Sequence, residues 1–164
     1  MVKQKITIRK AIKSDGDILC DLINALADYE KLERPDFNAR KRFANDAFGK
    51  NPKITAWLAE KDGEAVAYAI TLYTYSSFLA LPTLYLEDIF VLPEYRAGGI
   101  GKSLFMHIVK LAFNDGCGRM EWQVLDWNQL AIDFYEKIGA RHMKEWLTYR
   151  LDRESLEKLI KNII

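Results

Sequence analysis

Between residues 5 and 10 apolar and polar side chains alternate, the period of a strand with one buried face. The period then lengthens, and Ile18, Leu19, Leu22, Ile23 and Leu26 recur on one helical stripe. Ser14 is the expected N-cap of that helix, with Asp17 three residues on completing a capping box. Pro35 bounds its end, which should fall between Glu30 and Glu33. A weaker helical pattern covers 38–48 and stops at Gly49. Strand patterns follow at 54–60 and 65–75, joined by the hairpin signal Lys61-Asp62-Gly63-Glu64.

A loop over 76–82 leads into 84–91, a nearly continuous apolar run interrupted by Glu87 and Asp88. After a glycine-rich turn the pattern predicts a helix over 101–114, with Leu104, Ile108 and Leu111 on its buried side. Residues 120–125 read as a strand, and Asn128 can cap a helix running to Ile138, with Gly139 as its C′ residue. A short strand near 141–143, a last strand at 146–151 and a terminal helix over 153–164 complete the chain. Strands and helices intermixed in this order predict an α/β domain with a mixed sheet. No repeat or linker divides residues 1–164, so a single domain is expected.

Acids and bases nearly cancel, leaving a net charge of +1, so there is no general attraction to nucleic acid. Cys20 and Cys117 lie on dissimilar segments without Cys-x-x-Cys or Cys/His spacing, which points to a reduced, cytoplasmic chain without a metal site. The leading residues Met1-Val2-Lys3-Gln4-Lys5-Ile6 lack the apolar region of a signal peptide, and no uncharged run is long enough to span a bilayer. A soluble protein with no membrane partner is expected.

The stretch Tyr95-Arg96-Ala97-Gly98-Gly99-Ile100-Gly101-Lys102 joins a strand to a helix. Glycine lets the main chain approach an anion closely, and the following helix turns unpaired N–H groups and its positive dipole end toward the same spot. Arg96 and Lys102 flank it with positive charge. A Walker loop would need glycine where Arg96 stands, and the dinucleotide fingerprint would need a small residue at Leu104. The pattern Arg-x-x-Gly-x-Gly is a third kind of phosphate turn; without a ligand it would be a plain strand-to-helix connection.

Glu87 and Asp88 interrupt an apolar strand, where an unpaired acid is costly. Successive strand residues point to opposite faces, so at most one should enter a given cleft unless a bulge intervenes. Such an acid is either satisfied by amides or a cation, or it attracts an amine and helps to remove its proton. Tyr135 either packs against the sheet or serves as an acid, because a phenol pKa of ~10 suits it to protonate a departing thiolate. Asn128 alone is a helix cap, and Tyr29, Glu30 and Asp126 taken singly are surface residues. His107 and His142 lack partners at motif spacing and are read as surface or packing residues. Cys117 has no adjacent base, and Trp57, Trp122, Trp127 and Trp146 are read as core.

Together these elements resemble the GNAT superfamily of acetyl-CoA-dependent N-acetyltransferases. Arg96-x-x-Gly99-x-Gly101 matches its pyrophosphate signature, and Asn128-x-x-Ala131-x-x-x-Tyr135-x-x-x-Gly139-Ala140 its second landmark. The run from Leu84 to Arg96, Leu-Tyr-Leu-Glu-Asp-Ile-Phe-Val-Leu-Pro-Glu-Tyr-Arg, is similar to the diamine (spermidine/spermine) acetyltransferase family. Val124-Leu125-Asp126-Trp127-Asn128-Gln129 and Ala27-Asp28-Tyr29-Glu30-Lys31-Leu32 resemble most its thialysine N-epsilon-acetyltransferase branch.

The resemblance implies a GNAT-type mixed sheet with helices on both faces and a splayed pair of parallel strands forming the coenzyme cleft. Backbone groups of Ile89 and Val91, with Phe90 between them, would meet the pantetheine arm. Arg96, Ala97, Gly98, Gly99, Ile100, Gly101 and Lys102 would cradle the diphosphate, and Asn128, Gln129, Leu130 and Ala131 would complete the acetyl-CoA site. Tyr135 resembles the general acid, and Glu87 the acid that faces the amine. Tyr29 and Glu30 resemble substrate contacts, with Glu121, Gln123 and Asp126 as further pocket candidates. Polyamine enzymes of the family carry an extra acid before the Glu87 strand where this chain has Ser76-Ser77-Phe78, which weakens the case for a long polycation.

The implied reaction is direct attack of a small-molecule primary amine on acetyl-CoA, in a homodimer. The apolar residues Leu159, Ile160, Ile163 and Ile164 offer either a contact patch for that dimer or a face by which the terminal helix docks on its own core. Acetylation of protein lysines or N-termini, and a non-catalytic coenzyme-binding module, are the alternatives.

Overall fold

The computed structural model describes residues 5–163. The start of the N-terminal stretch and the last residue of the apolar C-terminal patch lie outside that range. Backbone proximity gathers the chain into two compact units, Met1–Gln123 and Val124–Ile164.

In the first unit the strands are β1 (Ile6–Lys10), β2 (Thr55–Lys61), β3 (Glu64–Ser76), β4 (Leu81–Val91) and β5 (Arg119–Trp122), in the spatial order β1-β2-β3-β4-β5. The first four run antiparallel, and β5 lies parallel to β4. A parallel neighbour needs a crossover, and here α3 (Ile100–Asn114) makes it. Two further helices, α1 (Gly16–Glu30) and α2 (Phe37–Phe48), follow β1.

Strand alternation assigns the helices to faces. Leu58, Tyr68, Ile70 and Phe90 pack with Leu19 and Leu22 of α1. Trp57, of opposite parity to Leu58, meets His107 of α3 with ring centroids 4.8 Å apart. Helices therefore cover both faces of the mixed sheet, and His107 is a packing residue. Leu104 and Ile108 of α3 are buried as expected, together with Ile100, Phe105 and Ala112, whereas Leu111 is only half-buried.

The hairpin forms where its turn chemistry put it, with Asp62 at φ 53° and Gly63 at φ 91°. The start of α1 differs from expectation. Ser14 sits in a 3₁₀ turn, Lys13–Asp15, and makes no cap. Buried Asp15 instead accepts the Ile12 N–H at 2.7 Å and both terminal nitrogens of Arg9 at 2.7 and 2.9 Å. A carboxylate can neutralise the β1 guanidinium, which a serine hydroxyl cannot, and Arg9 holds the Asp15 carboxyl below its usual range. Ile18, expected on the buried stripe, falls on the exposed side of α1.

The loop expected over 76–82 shrinks to a turn, because Leu81 and Pro82 already pair with Ser76 and Tyr75. At the other end β5 stops at Trp122, short of the expected Leu125.

The second unit holds α4 (Gln129–Lys137) and α5 (Arg153–Lys161). Asn128 caps α4 by accepting the Ala131 N–H at 3.4 Å, and Gly139 follows it at φ 89°, as the sequence pattern implied. Strands do not form at 141–143 or 146–151. Alternation supplies faces but not a ladder partner, and none of the described residues of this unit forms a strand. Trp127 and Trp146, read as core from the sequence, are exposed, while Trp57 and Trp122 are partly buried. No helix among the described residues is long and apolar enough to cross a membrane.

Candidate active site

Beyond β4 the chain makes a short 3₁₀ turn, Pro93–Tyr95, and then enters α3 through Ala97 at φ 65° and Gly99 at φ 77°. Gly99 is the N-cap of α3 and no side chain caps the helix. The N–H groups of Ile100, Gly101 and Lys102 thus have no intrahelical acceptor, and no acid lies in the first turn. A Cβ on Gly101 would stand 3.3 Å from Val91 Cγ2, so glycine there lets the first turn lie against β4. Backbone donors, a helix dipole and a first turn without acids suit this turn to a diphosphate.

The turn is fastened on two sides. The Tyr95 hydroxyl donates to Glu64 at 2.9 Å. Arg96 Nε donates to the Val91 carbonyl at 3.0 Å, and its guanidinium lies over the rings of Tyr29 and Phe90, 4.4 and 5.4 Å from their centroids. Arg96 is therefore engaged with α1 and β4, while Lys102 is exposed.

The Leu92 N–H reaches Val66 in β3, so the Val91 carbonyl, in the same peptide, points to the opposite edge of β4. By alternation the backbone groups of Ile89 face that same edge. Phe90 between them is buried and packs on Tyr29 and Tyr68. The ladder with β5 ends at Leu86↔Trp122, whereas β4 continues to Val91. The backbone edge of Ile89 and Val91 thus lies past the last paired residue of the parallel strands.

The bulge that strand geometry left open is present. Ile70 pairs with Asp88 but Thr71 pairs with Leu86, so Glu87 is the extra residue. Both carboxylates line one cavity of about 430 Å³ between α1, α2 and the sheet. Ile23, Phe43, Ile54, Ile70 and Leu72 supply its apolar walls. Its polar groups are Asn24, Arg40, Glu87 and Asp88, and the Cys20 thiol also lines it. Asn24 Oδ1 is buried and has no hydrogen-bond partner among the described residues.

The bulge sets aside strict strand alternation, and the two acids line the same pocket. The more enclosed member is Asp88, which is half-buried, while Glu87 is exposed. Burial, helped by Glu87 and opposed by a 3.3 Å hydrogen bond from the Tyr68 hydroxyl, pushes Asp88 up to about 6. Glu30 adds to that rise and is itself pushed up by burial. Tyr29 and Glu30 at the end of α1 are thereby tied to the region, Tyr29 through Phe90 and Arg96, Glu30 through its charge.

Glu121 forms an ion pair with Arg119 at 3.0 Å, and Gln123 is exposed just after β5. In the second unit Asp126 is exposed, Gln129 Nε2 donates to Asp133 at 2.6 Å, and Leu130 is exposed. Ala131 lies in the first turn of α4. Tyr135 sits on the same helix against Phe134, and burial pushes its phenol up.

Sequence reasoning weighed Asp88 only as the neighbour of Glu87, without deciding which of them enters the cleft, and gave no role to Asn24 or Arg40. A polar residue on the buried side of α1 was the available signal for Asn24. The other two depend on a bulge and on helix packing, which no local pattern encodes.

Residues 19–140 match the acetyltransferase (GNAT) family model. The chain belongs to that family. It is 35% identical to the thialysine N-epsilon-acetyltransferase of Mus musculus, over 93% of this chain and 95% of that protein. It is 40% identical to the L-ornithine N5-acetyltransferase of Arabidopsis thaliana, over 68% of this chain and 50% of that protein. The structure of AAC(6')-Iy in complex with the bisubstrate analogue CoA-S-monomethyl-acetylneamine shares the fold, with a TM-score of 0.72 and 21% identity over 90% of this chain and 99% of that one. As a GNAT protein the chain is an acetyl-CoA-dependent N-acetyltransferase.

Proposed function

We propose that the protein transfers the acetyl group of acetyl-CoA to the primary amine of a small molecule bound in the α1–α2 cavity. The observation that carries this reading is the bulge at Glu87, which brings two carboxylates into one largely apolar pocket. An amine of pKa ~10 arrives protonated and must lose a proton before it can attack a thioester. Asp88 and the free acceptor on Asn24 suit an ammonium ion, because a buried acceptor without a donor is costly. Glu87, at the exposed side of the bulge, takes the proton directly or through water. Both relatives named above act, by their names, on amines of small amino acids, which supports a small substrate.

Acetyl-CoA supplies an acetyl group already activated as a thioester. The N–H groups of residues 97–102 are assigned to its diphosphate, and the β4 edge at Ile89 and Val91 to its pantetheine arm. Asn128, Gln129, Leu130 and Ala131 complete its binding. Arg96 keeps the turn fastened to β4 rather than touching the ligand first. Tyr135, kept protonated by burial, donates the proton to the departing thiolate. The family match runs across the boundary between the two compact units, which supports residues 1–164 acting as one N-acetyltransferase domain. We further assign the protein to the cytoplasm as a homodimer, with the exposed Leu159, Ile160 and Ile163 as contact candidates.

Mixing the protein with acetyl-CoA and a panel of diamines, diamino acids and lysine-bearing peptides, while following free thiol, tests the proposal. Thiol release with the small amines is expected. Release with the peptides alone would overturn the small-molecule reading in favour of protein acetylation.

A further inference from the structure

The polar groups of the cavity carry opposite charges. Glu87 and Asp88 enter from β4, and Arg40 enters from α2, with an apolar wall of Ile23, Phe43 and Ile70 in the same space. Among the described residues no carboxylate pairs with Arg40, whose Nε donates only a long 3.4 Å bond to the Pro35 carbonyl. Arg40 belongs to α2 and the acid pair to β4, so cation and carboxylates line the one cavity from different elements, and the Cys20 thiol of α1 feels the charge of Arg40.

An arginine presents a planar fork of donors that matches a carboxylate, and here that fork has no acid of its own. A simple diamine would set its second ammonium in a cavity that already holds an unpaired cation, an unfavourable arrangement. A molecule with an amine at one end and a carboxylate at the other satisfies both walls. We propose that Arg40 binds the carboxylate of a diamino acid whose side-chain amine is held by Glu87 and Asp88, making Arg40 the residue that selects such amino acids over diamines. This rests on the reading of the cavity as the amine site.

The test compares kcat/KM for L-ornithine with 1,4-diaminobutane, and for L-lysine with 1,5-diaminopentane, in wild type, Arg40→Gln and Arg40→Lys. Each pair differs by the carboxylate alone. Wild type should favour the amino acid of each pair at least about tenfold. Arg40→Gln should raise KM for the amino acids about 10- to 100-fold, with kcat moving less, as for loss of a charged hydrogen-bonded partner. It should also raise kcat/KM for the diamines, since a repelling cation is gone. Arg40→Lys should restore part of the preference, and because residue 40 is exposed both variants should melt like wild type. An unchanged ratio in Arg40→Gln, or a wild type that favours the diamines, overturns the role of Arg40 and leaves the amine site standing. No turnover of any of the four compounds overturns both.

Discussion

Asp88 lies in a conflict between folding and chemistry. Its carboxyl titrates near 6 in the folded protein against 3.8 ordinarily, so the native state holds this proton more tightly than the unfolded chain. By linkage the ionised group destabilises the fold above pH ~6, and the penalty disappears as pH falls toward 4. Asp88→Asn should therefore stabilise the protein at pH 7–8 by about 1–3 kcal/mol, and the gain should vanish near pH 4. Denaturant titrations across that range measure it; a difference that does not depend on pH would refute the assignment. Tyr135 makes a complementary kinetic case. Tyr135→Phe should retain acetyl-CoA affinity within a few-fold while kcat falls about 100-fold or more, as for loss of an acid catalyst. Unchanged kcat, read beside calorimetric binding of the coenzyme, would remove the phenol from catalysis.

Among the elements, those with local chemistry were legible. Asp62-Gly63 specifies a two-residue hairpin turn, Asn128 and Gly139 bracket α4, and Gly99 opens α3, because each acts within one turn of chain. The bulge at Glu87 was not legible, since register is settled by the pairing of β4 with β3. The strands expected at 141–143 and 146–151 failed for a related reason, as alternation names a face but not a neighbour. Asp15 displaced Ser14 from the start of α1 because its partner, Arg9, comes from another element. The glycine turn yields an element-level prediction. Gly99 holds φ 77° with open space around it, so Gly99→Ala should cost about 1 kcal/mol in backbone strain alone. It should also weaken acetyl-CoA binding by tenfold or more, since a strained turn would no longer align the N–H groups behind it. Titration calorimetry with the coenzyme checks this, and unaltered affinity would argue that the turn does not hold the diphosphate.

At the scale of the molecule, the mixed sheet plays two parts that its topology keeps separate. One edge of β4, past the end of the β5 ladder, leads on to the glycine turn, while the bulge in the same strand brings two acids into the cavity beside α1 and α2. Membership of the GNAT family was readable from two motifs, but the polarity of the α1–α2 cavity was not, because Asn24, Arg40 and the acid pair meet only after folding. The most direct measurement of the central claim is kcat/KM for the preferred small amine in Glu87→Gln and in Asp88→Asn at pH 7. We expect each to fall by about 100-fold or more, consistent with loss of a proton acceptor or its charged neighbour, with KM for acetyl-CoA changed less than about threefold. Near wild-type turnover in both folded variants would contradict the account.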